Sequence, residues 1–388
     1  MSVLVEPGPE LGPEQIARYS RQLLLPGFGE AAQQRLRAAR VLVIGAGGLG
    51  SAVVPALAAA GVGTIGIIDD DLVELSNLHR QLSHGVADIG RAKVDSLADT
   101  VHAIDPDCTV NRYRERAVAA NLPGILADYD LLVDGSDNFP TRYLADDAAS
   151  IAGKPLVWGS ILRFQGQVGV SRRGATFRDL FPVPPAADEV LSCELGGVLP
   201  TLCTAIGSFM ATEAIKLLVR VGEPLIGRVL FYDALTARTR EIPFERAEGT
   251  RPVTELIDYD LFCGVAADAT ESLSAADLLG LLRDGQEVSL LDVREPDEVA
   301  LRRIPGAETL PLGRLEGGED PQAAGPLVVY CEKDPRSRRA AKALRERGYD
   351  ARYLAGGIRA FAALGGAIET GARAVVDDDT AEDEGAQA

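Results

Sequence analysis

Apolar and polar residues alternate along the first part of the chain in the order expected of strands and helices in a parallel sheet. The stretch from Val41 to Ile68 contains no charged residue. It holds two short apolar runs, separated by Gly45-Ala46-Gly47-Gly48-Leu49-Gly50 and a run of small residues, and is followed by Asp69-Asp70-Asp71. This order predicts strand, glycine turn, helix, strand and carboxylate, as in a nucleotide-binding βαβ unit. A membrane span would also be uncharged, but the many glycines and Pro55 favour buried strands.

The alternation continues to about residue 245. Residues 12–40 are predicted to be helical, with a break at Pro26-Gly27. Further strands are expected at 109–113, 130–134 and 155–159, helices at 121–127 and 199–218, an antiparallel strand from 165 to 170 and a loop from 177 to 190. The pattern predicts a Rossmann-like α/β domain with a mostly parallel sheet and an antiparallel extension.

A polar stretch follows, and then the strand and helix pattern starts again. Short apolar runs at 288–293, 326–331 and 351–354 alternate with helical patterns at 274–283 and 336–347. We therefore predict a first domain at residues 12–248, a linker at 249–271, a smaller α/β domain at 272–370 and an acidic disordered tail at 371–388.

Composition excludes several classes of function. The 388 residues are 46% hydrophobic and carry a formal net charge of -18, which argues against binding to nucleic acid or to an anionic membrane surface. The N-terminus has no apolar core of the kind found in signal peptides. The five cysteines form no C-x-x-C pair and no disulfide framework, so a reducing cytoplasm is the expected location.

Charged and polar residues follow the glycine turn in an order that suits a triphosphate. Asp69 at the end of a strand could hold ribose hydroxyls, while Arg80 and Lys93 could neutralise phosphates. A nicotinamide-dependent oxidoreductase, suggested by the glycines alone, has no need of that pair. The predicted nucleotide-binding residues are Gly45, Gly47, Gly48, Asp69, Asp71, Ser76, Asn77, Arg80, Lys93, Asp137 and Asn138.

Asp137 lies just beyond a predicted strand and is a candidate Mg²⁺ ligand. The alternative is that it caps the following helix. His79 and His84 are too isolated for a metal site and are interpreted as structural.

Two cysteines near the predicted helix at 199–218 are interpreted differently. Cys193, in Ser192-Cys193-Glu194, precedes the helix and is a candidate nucleophile, because a helix N-terminus lowers the pKa of a thiol. Cys203, inside the helix, is expected to pack in the core.

These motifs together resemble the MoeB/ThiF-type, ubiquitin-activating-enzyme-like adenylyltransferases, which activate sulfur-carrier proteins for molybdopterin and thiamin synthesis. The resemblance spans Arg18 to about Phe244. It rests on Arg18-Tyr19-Ser20-Arg21-Gln22, the glycine turn, Asp69-Asp70-Asp71, Ser76-Asn77-Leu78-His79-Arg80, Lys93, Asp137-Asn138 and Phe231-Tyr232-Asp233-Ala234. It implies that ATP adenylates the C-terminal Gly-Gly carboxylate of a ubiquitin-like carrier.

The resemblance also implies individual roles. Asp69 would hold the ribose, Asn77, Arg80 and Lys93 the phosphates, and Asp137 the Mg²⁺. Arg21 would reach the ATP site of a neighbouring protomer in a homodimer, and Cys193 could hold the carrier through a disulfide or thioester.

The chain departs from this family at one site. Many relatives bind a structural zinc through two C-x-x-C pairs, one near the position of residues 175–180 and one after the last strand of the first domain. Here the first pair is absent, and the second survives only as Cys263. Because a closed zinc site needs four ligands, we predict no zinc and some other packing that holds the crossover loop.

The second domain resembles a rhodanese by Leu291-Asp292-Val293-Arg294-Glu295, Val328-Val329-Tyr330-Cys331, Arg336-Ser337 and Leu354-Ala355-Gly356-Gly357. Cys331 ends a strand, and the predicted persulfide loop comprises Cys331, Glu332, Lys333, Asp334, Pro335 and Arg336. Loop N–H groups, the helix dipole and Arg336 would lower the thiol pKa and favour a persulfide carrier. The alternative is a buried strand-end cysteine without chemistry.

Glu332 and Asp334 would repel an anionic donor such as thiosulfate. They therefore predict a protein persulfide, for example on a cysteine desulfurase, as the sulfur donor.

The two domains together predict an enzyme that adenylates a carrier and then converts its C-terminus to a thiocarboxylate with sulfur from Cys331. One alternative is an adenylyltransferase whose second domain only docks partners. A non-catalytic scaffold is disfavoured because Arg80, Lys93 and Asp137 together have no structural need.

Overall fold

The computed structural model describes residues 4–172, 174–185, 197–246, 252–263, 271–286, 288–322, 325–332 and 334–370. The chain divides into two compact units, Met1–Ala266 and Ala267–Ala388. Each is described by itself below.

The first unit alternates strands and helices. Its strands are β1 Arg40–Ile44, β2 Thr64–Ile68, β3 Thr109–Tyr113, β4 Leu131–Asp134, β5 Leu156–Leu162, β6 Gln165–Ser171, β7 Arg228–Asp233 and β8 Arg238–Pro243. The described helices are α1 Pro13–Leu23, α2 Gly29–Ala38, α3 Gly50–Ala60, α4 Lys93–Ile104, α5 Leu122–Leu126, α6 Phe139–Ala152, α7 Phe177–Leu180, α8 Pro200–Val219 and α9 Tyr259–Phe262.

These strands form one sheet in the order β3-β2-β1-β4-β5-β6-β7-β8. The pairs from β3 to β5 are parallel, and the pairs from β5 to β8 are antiparallel. The predicted parallel sheet with an antiparallel extension is confirmed. The order reverses between β1 and β4, so this is the switch point at which open α/β sheets bind ligands.

Both faces of the central strands are buried, which explains their uninterrupted apolar sequence. In β1, Val41 and Val43 pack into a core cluster on one face, whereas Leu42 and Ile44 pack into the cluster on the other. The uncharged stretch that begins at Val41 is therefore a buried βαβ unit.

Helix α8 is long and apolar enough to cross a membrane by length and composition. Leu202, Ile206 and Met210 on this helix nevertheless pack into the core cluster that contains Val41 and Val43. Within the structure it is the core helix of the first unit.

The break predicted at Pro26-Gly27 is confirmed, since helices α1 and α2 are separated there and Gly27 and Gly29 adopt positive φ. Two other local features differ from the sequence prediction. The loop expected at 177–190 begins as helix α7, and its residues from 186 onward lie outside the described part.

The predicted linker, 249–271, is partly a packed element of the first unit. Helix α9 lies within it, and Tyr259 and Cys263 are buried in the same core cluster as Tyr143 on α6. Only the remainder of that stretch is left as a candidate linker.

The second unit is a smaller α/β domain. Its strands are β9 Ser272–Ser274, β10 Ser289–Asp292, β11 Arg302–Arg303, β12 Glu308–Thr309, β13 Leu327–Tyr330, β14 Ala351–Ala355 and β15 Glu369–Thr370. Its described helices are α10 Ala275–Arg283, α11 Pro296–Leu301, α12 Leu312–Glu316, α13 Pro335–Glu346 and α14 Gly357–Ala363. The main sheet has the order β12-β10-β13-β14-β9 and is parallel throughout, while β11 pairs with β15.

Strand β13 lies in the centre of this sheet, and all four of its residues are buried. Cys331 follows its last residue, Tyr330, at the carboxyl edge. The α/β fold therefore brings Cys331 to the edge of the sheet where helix α13 begins.

Candidate functional site

The glycine turn between β1 and α3 is built so that one glycine remains accessible. Gly45 has a φ of +93°, and a Cβ at Gly50 would lie 1.9 Å from the Gly45 carbonyl oxygen. A Cβ at Gly48 would lie 2.9 Å from the Cys203 Sγ, so the structure places Cys203 in the core behind the turn. At Gly47 the nearest atom would be the Gln81 Nε2, 3.6 Å away, so a ligand can approach the backbone there.

Asp69 connects the ends of β1 and β2. Its Oδ2 accepts the Ala46 N–H at 2.8 Å and its Oδ1 accepts the Asp71 N–H at 2.8 Å. Burial raises the pKa of Asp69, and the nearby Lys93 charge and these two N–H groups oppose that effect. The carboxylate is thus held beside the glycine turn, where the predicted ribose contact requires it.

Lys93 is the first residue of α4 and is almost fully buried. Its Nζ lies 2.8 Å from Oδ2 of Asp71, and its N–H donates to the Asp71 carbonyl oxygen at 3.0 Å. The positive charge that sequence reasoning assigned to a phosphate is therefore shared with a carboxylate assigned to the same site.

Ser76 and Asn77 lie on a short 3₁₀ turn after β2, Leu75–Asn77, and Arg80 follows three residues after its end. The Arg80 guanidinium donates to the Ser76 carbonyl oxygen at 2.9 Å, which holds its positive charge beside the turn. Asn77 is buried, and its Oδ1 accepts the Glu74 N–H at 3.2 Å. The fold brings these residues to the same sheet edge as Asp69 and Gly47.

The two histidines behave differently. His84 is buried and contacts the Ala46 carbonyl oxygen at 3.0 Å and the Ser96 hydroxyl at 2.8 Å. Burial lowers the pKa of His84. His79 is exposed beside Arg80. His84 is thus a structural residue that supports the backbone of the glycine turn.

The loop after β4 shows which residue caps helix α6, a role that the sequence left open for Asp137. Asn138 is the N-cap of α6, because its Oδ1 accepts the Thr141 N–H at 2.9 Å. Asp137 is exposed and makes no hydrogen bond or ion pair with any described residue. The cap is therefore Asn138, and the Asp137 carboxylate is available to a ligand.

Arg142 is a site residue that sequence reasoning missed. It is buried, and its Nη2 donates at 2.9 Å both to the Ser136 carbonyl oxygen and to the Gly159 carbonyl oxygen. Its Nε lies 3.5 Å from Oδ2 of the buried Asp134. Arg142 thereby fixes the loop that carries Asp137 to the neighbouring strand β5.

Gln81 was also missed. It is 3% exposed, it faces Gly47, and its Oε1 accepts no hydrogen bond from a described residue. Its position beside the accessible glycine was not visible in the sequence, because it follows the recognised Asn77 and Arg80 without a motif of its own.

Helix α1 is held to the first unit by three residues of the Arg18-Tyr19-Ser20-Arg21-Gln22 motif. The Tyr19 hydroxyl donates to Oδ2 of Asp105 at 2.9 Å, Arg18 donates to the Ile104 carbonyl oxygen at 2.8 Å, and Gln22 donates to the Ala60 carbonyl oxygen at 2.9 Å. Arg21 is exposed and bonds to no described residue. The predicted nucleophile Cys193, with Ser192 and Glu194, lies outside the described residues.

Cys331 is 1% exposed, and its Sγ lies 3.4 Å from the Ser337 Oγ. Its carbonyl oxygen accepts the Ile358 N–H at 2.9 Å. Cys331 is thus buried at the edge of the core of the second unit, and its thiol contacts the first turn of α13. Lys333 of the predicted persulfide loop is outside the described residues.

Two expectations about this loop need correction. Arg336 forms a two-point ion pair with Glu298, in which Nη2 and Oε1 are 2.6 Å apart, so its charge is offset by that carboxylate. Burial raises the pKa of Glu298, but its hydrogen bonds with Arg336 bring the pKa below the usual value. Arg336 is therefore a weaker source of positive potential for Cys331 than the sequence suggested.

The two acids of the loop are also compensated. Glu332 pairs with Arg302 and lies 3.4 Å from Nη1 of Arg294, which is itself buried against Asp292. Oδ1 of Asp334 accepts the Gly356 N–H at 2.6 Å. These contacts therefore reduce the repulsion that Glu332 and Asp334 were expected to exert on an anionic sulfur donor.

Comparison with known proteins agrees with this geometry. The model of the ThiF family matches residues 19–253, and that of the rhodanese-like domain matches residues 274–364. The chain belongs to the ThiF family. A "Probable adenylyltransferase/sulfurtransferase MoeZ" of Mycobacterium tuberculosis is 46% identical over 376 residues, covering 92% of this chain and 96% of the relative.

A further relative and a solved structure each match part of the chain. A "Sulfur carrier protein adenylyltransferase" of Thermus thermophilus is 45% identical over 265 residues, covering 65% of this chain and 98% of the relative. A crystal structure of E. coli MccB with MccA-N7isoASN has a TM-score of 0.55 at 18% identity and covers 62% of this chain and 75% of that one, which supports the fold.

This ThiF-family chain is accordingly an adenylyltransferase and sulfurtransferase that uses ATP. The nicotinamide-dependent alternative and the non-catalytic scaffold are wrong.

A polar and aromatic cluster lies where helices α6, α7 and α9 meet. Asp147, on α6, accepts hydrogen bonds from Arg178 Nε at 2.9 Å and from the Tyr259 hydroxyl at 2.8 Å. The Arg178 guanidinium lies over the rings of Tyr143 and Phe262, 5.1 and 4.6 Å from their centroids. This Asp147–Arg178–Tyr259 cluster joins α6, α7 and α9.

Neighbouring contacts support the same junction. Both oxygens of Asp146 accept backbone N–H groups of α7, and burial raises the pKa of Asp146 to about 6. Arg246 pairs with Asp179 at 2.8 Å. Cys263 is buried, which raises the pKa of its thiol to about 11. No group of three or more His, Cys, Asp and Glu side chains that could hold a metal ion occurs among the described residues.

Proposed function

We propose that this protein adenylates the C-terminal Gly-Gly of a ubiquitin-like sulfur-carrier protein and then converts it to a thiocarboxylate with sulfur carried on Cys331. The observation that carries the proposal is the combination, in one chain, of a nucleotide cradle at the β1/β4 switch point and a cysteine at a strand–helix turn. The relatives named for both activities support it.

In the first step the carrier carboxylate attacks the α-phosphate of ATP, forming an acyl-adenylate and releasing pyrophosphate. The accessible backbone at Gly47 admits the phosphates, Asp69 orients the ribose, and Arg80 and Lys93 offset the charge that develops on phosphate oxygens. The Lys93 ammonium group must then interact with both the Asp71 carboxylate and a phosphate. Asp137 would hold a Mg²⁺ ion, which when bound supplies further neutralisation of phosphate charge.

In the second step the outer sulfur of the Cys331 persulfide attacks the acyl carbon, a C–S bond forms and AMP leaves. The product is an acyl disulfide. A thiol then attacks Sγ of Cys331, the S–S bond breaks, and the thiocarboxylate leaves with the electron pair. An external thiol such as glutathione supplies this thiol, and a second one reduces the disulfide left on Cys331 before the next turnover. Cys193 would hold the carrier transiently, through a disulfide or a thioester.

The function is tested by intact-mass analysis of proteins ending in Gly-Gly after incubation with the enzyme, ATP and a sulfur source. The expected product is heavier by the replacement of one oxygen with sulfur, and its formation requires ATP. Parallel reactions with thiosulfate and with a cysteine desulfurase plus cysteine distinguish the donor classes. Failure of every such carrier to gain sulfur contradicts the proposal.

We propose further that the enzyme is a homodimer in which Arg21 enters the partner's ATP site. Exposed apolar side chains lie at the end of α1 and around the cradle: Leu24, Leu25, Leu75, Leu82 and Val86. Such a group is typical of a surface that is covered in an assembly. Arg21 is also presented outward by the anchored residues of α1.

Mixed dimers test this arrangement. Arg21→Ala and Asp137→Ala chains are each expected to be inactive, but after subunit exchange about a quarter of the native adenylation should return, because one site per mixed dimer is complete. Recovery is measured as ATP–pyrophosphate exchange with the carrier. If mixing restores nothing although mixed dimers form, Arg21 acts within its own chain or has another role.

We also propose that the Asp147–Arg178–Tyr259 cluster serves here in place of zinc. Tyr259→Phe removes one buried hydrogen bond to a charged group, and should destabilise the first unit by about 1.5–3 kcal/mol. Thermal unfolding measures the loss, and a zinc chelator should leave the melting temperature of the native protein unchanged. Tyr232→Phe, outside the cluster, is the matched control. A chelator-induced fall in melting temperature would contradict the proposal.

A further inference from the structure

Ser337 occupies the third position of helix α13 and is 0% exposed. Its hydroxyl donates to the Asp334 carbonyl oxygen at 3.1 Å, and the same oxygen lies 3.4 Å from the Cys331 Sγ. Neighbouring positions on the buried side of α13 are Ala340, Ala341 and Leu344. A hydroxyl is therefore placed among apolar groups and against the reacting atom of the sulfur site.

The hydrogen bonds around Ser337 run in one direction when the thiol is protonated. The Cys331 S–H donates to the Ser337 oxygen, and the single hydroxyl hydrogen of Ser337 points to Asp334. A thiolate has no hydrogen to donate and becomes an acceptor. Rotation of the hydroxyl would then direct its hydrogen to Sγ, and a hydrogen bond to a charged sulfur is stronger than the neutral one that it replaces.

We propose that Ser337 is a further catalytic residue of the sulfur site, whose hydroxyl turns from the Asp334 carbonyl to Cys331 Sγ and stabilises the thiolate that accepts sulfur. This inference rests on the proposed function of Cys331. It also meets a need that the structure creates, since the Arg336 charge is offset by Glu298. The N-terminus of the twelve-residue helix α13 acts in the same direction.

The step served by this contact is the loading of Cys331. The Cys331 proton leaves to solvent, and the thiolate attacks the outer sulfur of the donor. A new S–S bond forms at Sγ, the donor's S–S bond breaks, and the donor leaves with that electron pair. No other oxidant or reductant is required.

The test measures alkylation of Cys331 by iodoacetamide in the full chain, from pH 5 to 10, quantified on the Cys331 peptide by mass spectrometry. In Ser337→Ala the midpoint of the pH–rate profile should rise by about one unit, which corresponds to a roughly tenfold slower reaction below both midpoints. Well above both midpoints the rates should converge. Ser337→Thr keeps the hydroxyl and should keep the native midpoint.

Two controls separate this role from packing. Ala340→Gly disturbs the same buried face of α13, so it should lower the melting temperature without moving the midpoint. ATP–pyrophosphate exchange should be unchanged in all three variants, because it depends on the first unit.

An unchanged midpoint in Ser337→Ala overturns the inference, and so does an equal shift in Ala340→Gly. If the alkylation rate of Cys331 in the native chain does not depend on pH, both the inference and the sulfur-transfer step are contradicted. Normal titration of Cys331 without thiocarboxylate formation would contradict the proposed function alone.

Discussion

Replacing Cys331 with alanine should abolish thiocarboxylate formation and leave ATP-dependent adenylation of the carrier at its native rate. The reason is that the sulfur atom that forms the persulfide is removed, while the nucleotide cradle belongs to the other compact unit. The loss of product should be complete within detection, because no other cysteine lies in residues 267–388. Intact-mass analysis measures the product, and ATP–pyrophosphate exchange measures the first step.

Two further variants make the Cys331 experiment specific. Cys331→Ser preserves the size of the side chain but cannot carry a persulfide, so it should be as inactive as Cys331→Ala. Cys108→Ala removes another buried cysteine and should retain both activities. Normal sulfur transfer by Cys331→Ala would leave the second unit with only a docking role and would contradict the proposed transfer of sulfur from Cys331.

Replacing Asp137 with alanine should lower adenylation by about 10²–10³-fold, the effect seen when one preorganised group that stabilises transition-state charge is removed. Thiocarboxylate formation should fall equally, since it consumes the acyl-adenylate. Stability should change by less than about 0.5 kcal/mol, because Asp137 is exposed and bonds to no described residue. Exchange kinetics across a range of Mg²⁺ concentrations measure the effect.

Asp128 provides a matched control for Asp137. It is also an exposed aspartate, but it precedes β4 and therefore lies at the amino edge of the sheet, whereas Asp137 follows the same strand at the carboxyl edge. Asp128→Ala should adenylate normally. Equal losses in the two variants would indicate a general effect of charge, and a native rate in Asp137→Ala would exclude it as a metal ligand.

The loop after β4 shows how far sequence reasoning could go at the candidate site. A carboxylate and an amide after a buried strand predict polar groups at the ligand edge, and they are there. Which of the two caps α6 depends on backbone geometry, and the structure assigns the cap to Asn138. Arg142 could not be recognised, because its partners are carbonyl oxygens of residues 136 and 159, and carbonyls have no sequence signature.

The pattern of apolar runs and glycines determined by itself that this chain forms two α/β units, with a nucleotide cradle in the first and a strand-end cysteine in the second. Such patterns are local. Neighbours along the chain set the periods of strands and helices, the choice of turn residues and the need for small residues in a tight turn.

Only the tertiary structure decided which charges are compensated. The pairs Lys93–Asp71, Arg336–Glu298 and Arg302–Glu332 join residues 22 to 38 positions apart in sequence. The same holds for the Asp147–Arg178–Tyr259 cluster, in which Asp147 lies 31 positions from Arg178 and 112 positions from Tyr259 in sequence. The physical reason is that the potential at a site depends on distances across the fold, which the order of residues does not contain.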